Sequence, residues 1–379
     1  MKKKIIYSNE PAFINREKEI KYLLNWINGK PNQLLFIHGP KSSGKTSLLF
    51  KFIEIYLNNV DFELKFFNLR KVLISNYENF IQAFFKKDFS KSKGDIKQKR
   101  EFNFKVFKLT TEILKGFEAK ELDPFDVMFS QLDKTLAKGK RPIIIIDEIQ
   151  ALENVYINGQ RELLQELFNF FVSLTKESHL CHVIIASSDG YFINRLYNDS
   201  KLTKTAAFYE INYLIKDDIF SWLSDLKKNS LIHSYQLSDQ QIKTIWKYLG
   251  GSIWEISFLL NELIPYANKK KINNADLMSR IQELINVNQG KYKQYAKINK
   301  QKRALLKQIL SIQNKHPLFD ESHLESLVND NQFDENTLSD ALNNLVKLNI
   351  LAFNPTTSLY TLQGNTMRYG LEAYVKNIS

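Results

Sequence analysis

The chain has 379 residues, 44% hydrophobic and 25% charged, which leaves room for about two or three domains with cores of their own. Its longest apolar runs fall far short of the roughly 18 residues that span a bilayer. The opening MKKKIIYSNEP has lysines but no apolar h-region, so the expectation is a cytoplasmic protein with no membrane contact. One cysteine, Cys181, excludes an intrachain disulfide, and a net charge of +12 raises nucleic acid as a partner.

In chain order, residues 33–39 (QLLFIHG) form a short apolar run ending in glycine, as a buried strand does, and residues 46–57 carry helical apolar spacing. Residues 62–69 (FELKFFNL) read as a second strand. A long polar and basic region follows, with helical patterns over 77–85 and 102–117. Asp123-Pro124 starts a helix that runs to about Ala137. The stretch RPIIIIDEIQAL (141–152) opens as an unbroken isoleucine strand, expected where a parallel sheet is covered on both faces. RELLQELFNFFVSL is an amphipathic helix, and residues 182–188 (HVIIASS) and 207–214 (AFYEINYL) are further strands. Strands alternating with helices predict a parallel α/β sheet.

After Leu214 the pattern turns helical, with periodic segments beginning at residues 216, 238, 252 and 273. A third unit follows, with helices over about 303–313, 320–328 and 335–348, then two short strands around Pro355-Thr356-Thr357. Three helices and a hairpin are the order of a winged helix. The expected division is 1–214 for an α/β domain, 215–290 for a helical lid and 291–379 for a winged helix with a basic lead-in. Two basic stretches stand out. Lys86 and Arg100 bound one with seven basic and two acidic residues; Lys291 and Arg303 bound one with six basic residues, two tyrosines and no acid. Either is a candidate DNA contact or a solvated face. The third helix of the last unit carries Asp334, Glu335 and Asp340 against Lys347, a poor face for phosphates.

The chemistry lies between the first strand and the first helix. Gly39, Pro40, Lys41, Ser42, Ser43, Gly44, Lys45 and Thr46 match G-x-x-x-x-G-K-[ST] at every fixed position. Such a loop wraps phosphates with backbone N–H groups, and the helix behind it adds its positive end. Lys45 is expected to reach the β- and γ-phosphates of ATP, and Thr46 to place a hydroxyl on Mg²⁺, with Ser47 completing the candidate nucleotide-binding set. An acid at the end of a buried strand is costly without a cation or donors. Asp147 therefore suits the Mg²⁺ shell, or a helix N-cap. Glu148 is placed to orient and deprotonate a water, or is a surface acid. No N-K-x-D follows the isoleucine strand, which favours ATP over GTP. His179, Cys181 and His182 lie close together, but a strand puts 179 and 181 on one face and 182 on the other and no second ligand pair is evident, so core packing is expected.

Upstream, PAFINREKEIKYL resembles the box that opens many AAA+-like and STAND-related NTPases, the archaeal-type ATPases in particular, with Phe13, Arg16, Glu17, Glu19 and Ile20 at its fixed positions. The phosphate loop, IIIIDEIQ, VIIASS and Gly250-Gly251 follow in that family's order. The resemblance implies a P-loop ATPase whose isoleucine strand is not adjacent to the phosphate-loop strand, with a helical lid over the nucleotide. It implies that Arg16 and its box lie beside the adenine, and that Ser187 or Ser188 is a polar sensor of the γ-phosphate. Family members often carry Gly-Arg before the last strand. Here KLTKTAAFYEI has Lys201 and Lys204 but no arginine, which leaves Arg161 and Arg195 as candidate fingers. The expectation is a nucleotide-controlled ATPase switch acting on a protein partner, with the missing arginine pointing to slow hydrolysis; the alternative is an AAA+ DNA-binding ATPase resembling origin-recognition proteins. An oligomer is compatible with either.

Overall fold

The structure, a computed structural model, describes residues 13–57, 61–71, 73–87, 106–119, 121–157, 161–199 and 204–378. Five parallel strands, β1 (Leu34–His38), β2 (Phe62–Asn68), β3 (Arg141–Asp147), β4 (His182–Ala186) and β5 (Ala206–Glu210), form one sheet. Their spatial order is β2-β3-β4-β1-β5, so β4 separates the phosphate-loop strand from the isoleucine strand.

The isoleucines of β3 explain the layering. Ile143 and Ile145 pack with Leu35, Ile37 and Ile184 on one face, and Ile144 and Ile146 with Leu34, Phe36 and Val183 on the other. Successive strand side chains point to opposite faces, so an unbroken apolar run needs cover on both. Each such side chain withdrawn from water contributes roughly 1.5–3 kcal/mol. Helices α1 (Glu17–Asn28) and α2 (Lys45–Phe52) cover the first face through Leu23, Ile27, Leu48 and Phe52. Helices Pro124–Leu136, Leu163–Val172 and Gly190–Asp199 cover the second through Met128, Leu132, Phe168 and Ile193.

One expected element differs. The helical pattern over 102–117 resolves into a strand, Phe107–Leu109, and a shorter helix, Thr111–Glu118. Thr110 is extended and its hydroxyl caps Ile113 N–H at 3.3 Å, which starts the helix there. The strand before it pairs in parallel with Phe85–Lys87 and buries Phe107. Most of the first basic stretch, residues 88–100, lies outside the described residues, as does Lys201.

Beyond β5, helices Lys216–Ser224, Leu226–Ser230, Asp239–Leu249, α3 (Ile253–Glu262) and α4 (Asn274–Ala296) enclose a core around Trp222, Tyr235, Ile245 and Ile281. At 23 residues, α4 is longer than its apolar pattern suggests and crosses the expected 290/291 boundary unbroken. Leu277, Ile281 and Ile285 serve the helical core, while Tyr292, Tyr295 and Ala296 serve the next one. That last core is built from helices Lys300–Gln313, Glu325–Asn329 and Glu335–Lys347 and a hairpin of β6 (Leu351–Asn354) and β7 (Leu359–Leu362). A helix that the apolar pattern does not single out, α5 (Asn365–Ile378), follows. It lies against α4 closely enough that a Cβ on Gly370 would stand 2.9 Å from Asn288. Across the same seam Asn288 Nδ2 donates to Thr366 Oγ1 at 3.0 Å and the Tyr292 hydroxyl to the Met367 carbonyl at 3.1 Å.

Candidate functional site

The carboxyl ends of β1, β3 and β4 meet at one rim of the sheet, where α/β folds place their ligands. The phosphate loop turns there on two glycines that nothing larger can replace. Gly39 has φ 140°, and a Cβ on it would stand 2.2 Å from the Ile211 carbonyl oxygen; Gly44 has φ 93°. Ser42 is also left-handed, at φ 64°. Such alternating conformations form a concave nest of backbone N–H groups.

Beside the loop is a cavity of about 360 Å³. Lys41, Ser42, Gly44, Lys45, Thr46 and Ser47 of the loop line it, with Phe13, Ile14 and Arg16 of the upstream box and Ile253, Trp254 and Ser257 of α3. Arg70, Glu148 and Ser188 complete the lining.

Lys45 is buried and its ammonium folds back onto the carbonyls of Gly39 (2.9 Å) and Pro40 (2.8 Å). Burial lowers its pKa to about 8, against the opposing pull of Glu148 and Asp147. Asp147, at the end of β3, accepts a hydrogen bond from Thr46 Oγ1 at 2.9 Å. Burial raises its pKa, and the Thr46 bond draws it back. The hydroxyl and carboxylate are hard oxygen donors and suit Mg²⁺, which is commonly held by few protein ligands. His38, at the end of β1, has its pKa lowered to about 4 by burial and by Lys45.

Glu148 holds φ 64° and ψ 49°, a left-handed conformation that costs on the order of 1–3 kcal/mol for a residue with a Cβ. Its N–H is anchored on the Ala186 carbonyl at 2.9 Å. One carboxylate oxygen accepts from the Arg70 guanidinium and the other from the Gln150 amide. Arg70 is 62% exposed whereas Glu148 is nearly buried, so the arginine is the detachable member of that pair.

Other expected residues stand differently. The Arg16 guanidinium is buried and donates to the carbonyls of Ser43 (2.7 Å) and Asn212 (2.9 Å) and to Glu19 (2.6 Å). It braces the phosphate loop through Ser43 and also lines the cavity, beside Phe13 and Ile14 of the same box. The Ser187 hydroxyl is buried and donates to Gln150 at 2.8 Å, so Ser188 is the serine on the cavity wall. Arg161 pairs with Glu166 at 3.6 Å and Arg195 with Glu153 at 2.6 Å, and neither lines the cavity. His179 and His182 bond the carbonyls of Pro31 (2.6 Å) and Gly29 (3.1 Å), and Cys181 is buried.

Three residues of the site escape sequence reasoning. Gln150 lies within the isoleucine-strand motif but carries no chemistry of its own. Arg70 follows β2 at the same sheet rim, and that position is the signal that could have found it. Gln363, just past β7, accepts the Lys41 backbone N–H at 2.9 Å from 322 residues away, and no local pattern marks it. The Tyr213 hydroxyl donates to the carbonyl of the same Lys41 at 3.0 Å.

A family model for ATPase domains predominantly from Archaea matches residues 13–259. An ATP-binding protein of Methanocaldococcus jannaschii is 38% identical over 275 residues, 72% of this chain and 74% of its own length. An ATP-binding protein of Pyrococcus abyssi is 34% identical over 251 residues, 63% of this chain and 69% of its own. Among solved structures, the Walker-type ATPase of Pyrococcus abyssi aligns with a TM-score of 0.63 at 17% identity, covering 95% of this chain and 96% of that one. The ORC2 protein of Aeropyrum pernix, in ADPNP and ADP complexes, aligns at 0.55 and 12% identity over 99% and 96%. At such identities the two structures speak for the fold alone.

Proposed function

The chain belongs to this family of archaeal ATPase domains, and on that premise we propose that it binds and hydrolyses ATP at the phosphate loop and uses the nucleotide state to set the position of its C-terminal helices and hairpin towards a protein partner. The observation that carries the switch is the bond from Lys41 N–H to Gln363. The C-terminal unit touches the phosphate loop directly, so a ligand that reshapes the loop acts on β7 without an intermediary.

The roles follow from the geometry. The loop backbone receives the phosphates, and Lys45 turns from the Gly39 and Pro40 carbonyls towards them. Phe13, Ile14, Ile253 and Trp254 offer the apolar walls that a base needs. Thr46 and Asp147 would hold Mg²⁺, which would supply neutralising charge to the phosphates. Glu148 accepts the proton of the attacking water once Arg70 is drawn away. Removing Gln363 weakens the docking of the hairpin without touching the loop's own residues. In Gln363→Ala, ATP should still bind, but amide exchange in 351–362 should be fast with and without ATP, whereas in the parent protein it should change with the nucleotide. Equal exchange in all nucleotide states of the parent protein would remove the switch.

The DNA reading keeps one observation in its favour: Lys293, Lys297 and Lys300 are exposed where α4 meets the next helix. The two tyrosines of this basic stretch do not add to it. Tyr292 and Tyr295 are core residues, and Lys302 packs over the Tyr295 ring at 4.7 Å.

A further inference from the structure

Gln150 sits two residues beyond Glu148, on the short turn Ile149–Leu152, and has a defined orientation. A carboxylate can only accept, so the amide nitrogen must face Glu148 and the amide oxygen must face away. That oxygen receives the Ser187 hydroxyl proton at 2.8 Å. Having donated, Ser187 Oγ accepts the Asp189 N–H at 3.0 Å. Asp189 then caps the next helix by accepting the Phe192 N–H at 2.9 Å. The start of that helix is seated on the hairpin. A Cβ on Gly190 would stand 1.8 Å from the Phe353 carbonyl oxygen, and the Tyr191 ring meets the Phe353 ring edge-on at 5.7 Å. The chain of contacts therefore runs from Glu148 through Gln150, Ser187 and Asp189 to β6.

We propose that Gln150 is a positioning residue for ATP hydrolysis, which fixes the Glu148 carboxylate and couples its placement, through Ser187, to the hairpin. The inference rests on the reading of Glu148 as the group that takes the proton from water. Arg70 cannot serve in Gln150's place, because it is the exposed partner and must leave for an oxygen of Glu148 to meet water. Gln150 holds the other oxygen and can stay throughout. Replacing it leaves the phosphate loop, Thr46 and Asp147 untouched, so nucleotide affinity should be preserved while the chemical step is not.

The test compares Gln150→Leu, Ser187→Ala, the double variant and Glu148→Gln with the parent protein, using full-length chains and ATP with Mg²⁺. Gln150→Leu keeps the size of the side chain and loses both bonds. Its kcat should fall by roughly ten- to a hundredfold. Its Kd for ATP should stay within about twofold and its Tm should be unchanged, a split that a merely structural residue would not produce. Ser187→Ala should fall in the same direction, and the double variant should be no slower than Gln150→Leu, because the two act in series. Gln150→Leu should also lose the difference in amide exchange between ATP and ADP states at 351–354. Wild-type kcat in Gln150→Leu beside an inactive Glu148→Gln overturns this proposal alone, as would strictly additive losses or a parallel loss of Tm. Glu148→Gln turning over at the parent rate overturns the reading of Glu148 and this proposal with it.

Discussion

Lys45 is held at the edge of its charged state. Its pKa of about 8, against an ordinary 10.5, comes first from burial, with Glu148 and Asp147 pulling it up and Arg70 pushing it down. Between those two values the unfolded chain binds more protons than the folded one, so this group's contribution to stability rises with pH across that window. Below pH 8 the full cost of burying the ammonium remains. Phosphates beside Lys45 favour the charged form, so ATP binding above pH 8 should take up a proton and weaken by up to about tenfold per pH unit. Calorimetry at pH 8.5 in two buffers of different ionisation enthalpy reads that uptake. Its absence would mean that Lys45 does not meet the phosphates, and Lys45→Ala should abolish both the uptake and most of the affinity. Glu148→Gln keeps shape and reach but loses the base, so ATP should bind normally while hydrolysis falls by roughly two orders of magnitude or more. Asp147→Asn should act instead on the Mg²⁺ concentration needed for half-maximal binding. The placement of these residues was legible in the sequence because motif spacing is contiguous and its backbone needs are strict. Arg70, Gln150 and Gln363 were not, since each matters only through a partner that folding brings to it.

Elements meet in this molecule through glycines that admit a neighbouring backbone. A Cβ on Gly251 would lie 1.9 Å from the Leu214 carbonyl oxygen, where the chain leaves the sheet for the helical region, and Leu214 N–H bonds the Gly251 carbonyl at 3.2 Å. Gly190 plays the same part between its helix and β6. Gly190→Ala should therefore push the hairpin off the helix rather than unfold the sheet, whose own strands it does not touch. The expected result is a protein of nearly unchanged helix and strand content whose residues 351–362 exchange amide protons faster and are nicked sooner by protease. Full protection in Gly190→Ala would show that the hairpin docks by other contacts. Apolar periodicity found most of the strands and helices because burial on two faces writes itself into β3 and its neighbours. It stopped short on α4, whose lysines and Gly290 interrupt the apolar pattern although Tyr292 and Tyr295 continue it on the buried face. A tyrosine among lysines reads as a surface until the C-terminal helix that covers it is in place.

At the scale of the whole molecule, the helical region and the C-terminal unit share α4, which serves both of their cores. A rotation of one core therefore carries the other, and the phosphate loop at the sheet rim is tied to the far end of the same body by Gln363. This arrangement suits a switch whose output surface is set by nucleotide, and it bears on DNA. The basic corner is narrower than its composition suggests. The Arg303 guanidinium is engaged with the Lys297 carbonyl at 2.6 Å, and the exposed Lys291 feels the negative charge of the half-buried Glu255. The helix Glu335–Lys347 exposes Glu335 and Asp340. Among the described residues of this corner, Lys293, Lys297 and Lys300 remain as exposed cations, too few by themselves for a strong phosphate track. The parent protein should bind duplex DNA only feebly, with affinity lost near physiological salt. Changing these three lysines to Ala should flatten the plot of log affinity against log salt by roughly 0.9 per contact removed, equally for unrelated sequences. Nanomolar binding of the parent protein at physiological salt, in any nucleotide state, would reverse the preference and make the C-terminal unit a DNA-binding one.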